Sequence, residues 1–331
     1  MLPAKSGLWA SLLACSLLLG GPCAALAQDP VANLLAAVVG VRSEVPMEAR
    51  TASSLGTQRA GSGVVIDSDG LILTIGYLIM EADEVSVQME EESRIPADVV
   101  AYDYATGFGL IRARQPLDVE PMPLGSATDL ARTDQVLVVS FGGDNAVRPA
   151  YVVARRNFAG YWEYLLENAI FTSPPHSQFG GAALIGPEGE LLGIGSLIVR
   201  DALRTADETL PGNMFIPIDA LQPIFAELLA NGRSSEPSRP WLGIHTEEHR
   251  GRLFISRVAD DGPAARAGIT PDTMILGVSG IPVNDLENFY RELWKQGEPG
   301  VEITLDVLPR NGQPTEVVIS SGDRYDWLQL E

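Results

Sequence analysis

The chain is short of cysteine, lysine and histidine, and each shortage removes a class of chemistry. Its 331 residues hold 2 cysteines, Cys15 and Cys23, both inside a leading apolar segment. The rest of the chain therefore has neither a disulfide nor a thiol nucleophile to offer. Histidines number 3, His176, His245 and His249, and no HExxH pattern is present. His245 and His249 with Glu247 and Glu248 sit on a strand-then-loop stretch, not on a helix that would bring i and i+4 together, so they read as polar residues at a strand end and not as a metal cluster. Acidic runs such as Glu90-Glu91-Glu92 and Asp260-Asp261 lack the spacing of a calcium loop. No cofactor is expected. Lysine is confined to Lys5 and Lys295, and positive charge as a whole is scarce: Lys+Arg 23 against Asp+Glu 43, a net charge of -20. Without a basic surface to release counterions from phosphate, nucleic acid and anionic membrane are excluded as main partners. Beyond residue 27 no apolar run reaches the roughly 20 residues a spanning helix needs.

With 46% hydrophobic and 20% charged residues, the chain has the composition of a folded protein and the length of two ordinary domains. Lys5, the apolar run Leu8 to Leu19, Gly20-Gly21-Pro22 and then Ala25-Leu26-Ala27 form the charged start, apolar middle and small-residue cleavage site of a secretory signal peptide. The Gly-Gly-Pro break comes too early for a membrane anchor, and a lipoprotein site at Leu12-Leu13-Ala14-Cys15 would cut inside the apolar run. Cleavage is expected after Ala27, giving an exported, periplasmic product with 22 basic and 43 acidic residues.

From Gly61 the pattern is that of short strands and turns. Val64-Val65-Ile66, the turn Asp67-Ser68-Asp69-Gly70 and Leu71-Ile72-Leu73 predict a hairpin. Strand-like runs follow at Val85 to Val87, Val99 to Tyr102, Val136 to Phe141, Tyr151 to Ala154, Leu191 to Ile198 and Met214 to Ile218. Strands at this spacing without helical periods between them predict an all-β barrel or sandwich. A helix capped by Asp219, with Leu221, Ile224, Phe225, Leu228 and Leu229 on its apolar face and Gly232 past its end, closes the region. Residues 233–240 read as an interdomain linker. Beyond it, strands at Trp241 to Thr246, Leu253 to Val258, Met274 to Val278, Val301 to Val307 and Thr315 to Ser320 alternate with helices at Pro263 to Ala267 and after Asp285. Asn311-Gly312 supplies a hairpin turn. This is a compact α+β module.

These residues resemble the HtrA/DegP-type trypsin-like serine proteases. Gly61-Ser-Gly-Val-Val-Ile-Asp-Ser-Asp-Gly-Leu-Ile-Leu-Thr74 is similar to the opening of their protease domain. Trp241-Leu-Gly-Ile244, Gly262-Pro-Ala-Ala-Arg-Ala-Gly-Ile269, Pro271 to Val283 and Pro299-Gly300 resemble the PDZ domain that follows it. The resemblance implies a mainly β fold, a trypsin-like double β-barrel followed by an α+β PDZ domain. It divides the chain into a signal peptide at 1–27, a trypsin-like domain at 28–232, the linker at 233–240, the PDZ domain at 241–321 and a C-terminal tail at 322–331.

At the triad positions the chain departs from the family. Where the family has Thr-Asn-Ala-His, this chain has Thr74-Ile75-Gly76-Tyr77. The family's aspartate is replaced by Gly107 in Thr106-Gly107-Phe108-Gly109-Leu110, and its serine by Phe179 in Ser177-Gln178-Phe179-Gly180-Gly181. Acyl transfer needs a hydroxyl nucleophile, an imidazole to carry its proton and a carboxylate to hold the imidazole, so no catalytic residue is expected at Tyr77, Gly107 or Phe179. Ser177, with His176 beside it, is the nearest substitute nucleophile, although neighbours on an extended segment point to opposite sides. Ser177 also replaces a glycine that the oxyanion loop normally uses. Implied by the resemblance, Trp241, Leu242, Gly243 and Ile244 form the carboxylate-binding loop that holds a peptide C-terminus.

Three readings follow. The first is an exported pseudoprotease that binds peptide or protein C-termini as a scaffold, chaperone or regulator in envelope protein quality control. The second is an HtrA-type endopeptidase with a noncanonical nucleophile. In the third the chain co-assembles with an active HtrA-type protease, and by resemblance the partners also include a homo-trimer.

Overall fold

A computed structural model describes residues 30–89, 93–142, 146–235, 238–310 and 312–330. The signal segment, the Glu90–Glu92 run and Asn311 lie outside them. Among the described residues no helix is long and apolar enough to cross a membrane.

Two closed six-stranded barrels come first. One comprises β1 (Val38–Glu44), β2 (Gln58–Val65), β3 (Leu71–Ile75), β4 (Glu84–Gln88), β5 (Ile95–Tyr102) and β6 (Phe108–Ala113). The other comprises β7 (Gln135–Val139), β8 (Val147–Gly160), β9 (Tyr164–Ser173), β10 (Ala183–Ile185), β11 (Leu191–Arg204) and β12 (Thr209–Pro217). The Asp67 turn forms as expected, with Oδ1 of Asp67 accepting from the backbone N–H of Asp69 and Leu71. Closure of the first barrel depends on β1, which pairs with both β2 and β4 and begins well before Gly61. Strand β9 carries little alternation. Its ladder with β8 shifts register twice and Asn168 has φ 52, so successive apolar residues do not stay on one face.

The helix expected after Asp219 begins later. Residues Ile218–Ala220 form a 3-10 turn, and the helix α1 runs Phe225–Asn231, ended by Gly232 with φ 75. Asp219 caps no helix: its carboxylate accepts from Ser126 Oγ, Ala127 N and Thr128 Oγ1, tying an outlying loop to the second barrel. Leu229 is exposed.

The third unit is a sheet of β13 (Ile244–Glu248), β14 (Leu253–Val258), β15 (Thr273–Val278), β16 (Ile281–Pro282), β17 (Glu302–Leu308) and β18 (Thr315–Ser320). It is flanked by α2 (Pro263–Arg266) and α3 (Leu286–Trp294). Asp285 caps α3 by accepting from Asn288 N, and Phe289, Tyr290 and Leu293 are fully buried along its inner face. Of residues 241–243, expected as strand, Leu242 and Gly243 are loop and Trp241 forms only an isolated bridge to Gly322.

A last helix, α4 (Arg324–Trp327), lies across both units. Leu328 is buried against Met80, Tyr102 and Tyr104 of the first barrel, while Trp327 meets Trp241 at 4.9 Å between ring centroids. Tyr104 N donates to Tyr325 Oη at 2.8 Å. The segment is a clasp, and Leu328→Ala is expected to lower unfolding free energy by about 2–4 kcal/mol, the usual range for emptying a buried leucine site. Urea unfolding with no shift in midpoint would show that the clasp carries no load.

Candidate functional site

Three chain segments bring Tyr77, Gly107 and Phe179 to the wall of one cavity of about 360 Å³ between the barrels. Tyr77 stands in the 3-10 turn Gly76–Leu78 that follows β3. The turn is held from below by Arg59, 5% exposed, whose guanidinium donates to the carbonyls of Tyr77 and Met80 and to Thr51 Oγ1. Glu81, also buried, takes the N–H groups of Arg50 and Thr51, the Thr51 hydroxyl and Gln329 N. Tyr77 Oη donates to the Ser196 carbonyl at 3.0 Å, and burial raises its pKa further above the phenol range. A neutral phenol spending its proton on a carbonyl has no capacity to act as a general base near neutral pH.

Gly107 has φ 90, and a Cβ there would stand 3.3 Å from both Tyr164 Oη and Ile216 Cδ1. A side chain there would crowd Tyr164, whose hydroxyl donates to the Thr106 carbonyl at 2.5 Å. Phe179 lies on the loop from β9 to β10. That loop is braced by Asn213, fully buried, which accepts from His176 N at 2.6 Å and donates to its carbonyl at 3.0 Å.

Ser177 and His176 do not form a dyad. Ser177 is exposed, whereas His176 is 1% exposed with its ring turned inward. Nδ1 accepts from Gln178 N at 3.0 Å, so the proton resides on Nε2, which faces the Ala146 carbonyl at 3.3 Å and Ser140 Oγ at 3.5 Å. Ser177 has no left-handed φ. Among the described residues no group of three or more His, Cys, Asp or Glu could hold a metal. His245 lies on the cavity wall, edge-on to Tyr161 at 5.3 Å; burial, aided by Arg257 and Arg324, pushes its pKa down to about 4, keeping it neutral.

The loop Trp241-Leu242-Gly243-Ile244 presents its amides to a single carboxylate, that of Glu163 at the turn between β8 and β9. Leu242 N donates to Oε2 at 2.9 Å, and Gly243 N and Ile244 N donate to Oε1 at 2.7 and 2.9 Å. The φ of 80 at Gly243 turns the loop so that its successive N–H groups converge. Trp241 is buried beneath the loop, its backbone paired with Gly322. Glu163 is 1% exposed, with φ 56. Nothing in the sequence reading singled out Glu163; the available signal was the run Tyr161-Trp162-Glu163-Tyr164, a carboxylate among three aromatics at a turn.

Burial raises the Glu163 carboxyl to about 7, opposed by the three amides and by Arg324. A carboxyl with a folded pKa above its ordinary value contributes most below about pH 4.5 and loses that contribution as pH rises through about 7. His245 acts in the opposite sense, its contribution being lost as pH falls from 6.5 toward 4.

Residues 61–194 match the family described as trypsin-like peptidase domain, and residues 240–320 match the PDZ domain. The chain is 26% identical over 295 residues to a protein of Pseudomonas fulva (strain 12-X) named as a probable periplasmic serine endoprotease, DegP-like, covering 82% of this chain and 58% of the relative. A protein of the same name in Pseudomonas putida (strain W619) is 28% identical over 292 residues, covering 81% and 57%. The chain thus spans less than two thirds of the length of these curated relatives. Among solved structures, the HtrA-type protease AlgW with decapeptide superposes with a TM-score of 0.52 at 21% identity, covering 89% of this chain and 98% of that one.

Two expectations can be checked here. Gly107→Asp should destabilise the protein by about 1–3 kcal/mol, because the left-handed φ and the Tyr164 hydroxyl both oppose the new side chain; an unchanged melting temperature would contradict this. The stability difference between wild type and Glu163→Gln should shrink as pH rises from 5 to 8, and a difference flat across that range would contradict the burial of a titrating carboxyl. With both barrels, the PDZ sheet and their order accounted for, the chain carries a trypsin-like peptidase domain followed by a PDZ domain, and in that organisation it is similar to the HtrA-type and DegP-like proteins.

Proposed function

We propose that the chain is an exported, periplasmic HtrA-type pseudoprotease that binds protein or peptide C-termini through its PDZ groove. In this reading it acts as a scaffold, chaperone or regulator in envelope protein quality control, alone or assembled with an active HtrA-type protease. The observation that carries the reading is the identity of the three residues at the triad positions of the cavity. Tyr77, Gly107 and Phe179 line it together, and they supply no aliphatic hydroxyl, no imidazole and no carboxylate. In subtilisin, loss of the serine or histidine alone costs about a millionfold in turnover. The inward ring and fixed tautomer of His176 weigh against a rescue through Ser177.

The amides of Leu242, Gly243 and Ile244 support the binding half of the proposal. They already hold a carboxylate, the group by which PDZ domains capture chain termini.

Incubation of the chain from Gln28 onward with unfolded casein and a serine-directed phosphonate probe is expected to give neither cleavage nor labelling. Cleavage that survives repurification and is lost in Ser177→Ala would overturn the pseudoprotease reading in favour of a peptidase with a substitute nucleophile.

A further inference from the structure

The groove of the third unit is already filled by the chain itself. Its floor is the edge of β13 that β14 leaves open, and its far wall is α3. Against that edge sits the turn from Gly160 to Tyr164, joined to it by one backbone bond: Thr246 N donates to the Tyr161 carbonyl at 2.8 Å, and two residues further on Glu163 delivers its carboxylate to the three amides. Backbone addition to a sheet edge combined with capture of a carboxylate is how a PDZ domain holds a chain terminus. From the other wall, Tyr290 Oη donates to the Gly160 carbonyl at 2.7 Å and accepts from Glu163 N at 3.2 Å. Asn157 Nδ2 donates to Glu287 at 2.7 Å and Arg291 pairs with Glu167 at 2.8 Å, flanking the turn on both sides. Leu165 leaves its own barrel to join the core of the PDZ sheet.

We propose that this chain carries its own PDZ ligand: Glu163 and the turn that bears it occupy the groove as an internal surrogate for a chain terminus, and a partner's C-terminal carboxylate binds only by displacing them. The inference rests on the reading of the groove as a peptide site. A tethered ligand competes at an effective concentration in the millimolar range, and a groove open for a small fraction of the time weakens every external ligand by that fraction. The left-handed φ of 56 at Glu163 is uncommon for a residue with a side chain.

The same turn also walls the former catalytic cavity. Tyr161, Trp162 and Tyr164 line it, Tyr104 Oη donates to the carbonyls of Trp162 and Glu163, and Arg324 donates to the Trp162 carbonyl at 3.2 Å. Displacement at the groove therefore unroofs the cavity, which couples the two sites through one element.

The test compares wild type with Glu163→Ala in the chain from Gln28 onward, by two readouts. Amide exchange at Leu242, Gly243 and Ile244 is expected to be slow in wild type and at least about tenfold faster in the variant. Calorimetric titration with a library of short peptides ending in apolar residues is expected to show the variant binding free-carboxylate peptides at least about tenfold more tightly than wild type, with C-terminally amidated versions binding neither. Equal exchange and equal affinity in the two proteins would overturn the proposal. Faster exchange with no peptide bound by either protein leaves the occlusion standing and removes the peptide-binding reading instead. Should Glu163→Ala fail to fold, Tyr290→Phe releases the turn at Gly160 and Glu163 N while keeping the carboxylate, and must shift both readouts in the same direction.

Discussion

One buried carboxylate, received by three consecutive backbone amides, is the constraint around which this molecule is arranged. Glu163 is far from water, and a charge in that position is costly unless its lone pairs are filled. Leu242, Gly243 and Ile244 fill them. Because the donors belong to one domain and the acceptor to the other, the pairing fixes how the PDZ sheet sits on the second barrel. Tyr290, Arg291 and the Trp327 clasp extend the same contact.

The cavity between the barrels follows from that arrangement. In an active peptidase of this fold the space between Tyr77, Gly107 and Phe179 would be kept open for a scissile bond. Here aromatic side chains from the turn at 161–164 line its walls, Tyr77 is tied to a carbonyl, Nδ1 of His176 accepts from Gln178 N, and His245 is held neutral. A Cβ at position 107 would stand 3.3 Å from Tyr164 Oη, so the residue there and the turn that leads into Tyr164 are packed against one another.

Much of the fold was legible in the sequence because local chemistry and fold agree there. The Asp67 turn, the Asp285 cap and the α3 stripe are read from neighbours a few residues apart. The order of the two domains was legible from motifs long enough to fix register, and Tyr77, Gly107 and Phe179, the positions that register singles out, line one cavity. What escaped the sequence is non-local or irregular. Strand β1 has partners up to about fifty residues away, β9 has an alternation broken by bulges, and Asp219 spends its carboxylate on a loop more than ninety residues distant. Glu163 escaped for the same reason: nothing in Tyr-Trp-Glu-Tyr says that its carboxylate meets amides eighty residues later.

If groove and cavity are closed by one element, a titration followed by amide resonances will show both opening at once. With a free-carboxylate peptide added to the isotope-labelled wild-type chain, the resonances of residues 160–164 are predicted to move together with those of residues 242–244, sharing one midpoint. Movement at residues 242–244 while 160–164 stay in place would show that ligand and turn do not compete, and would contradict the account.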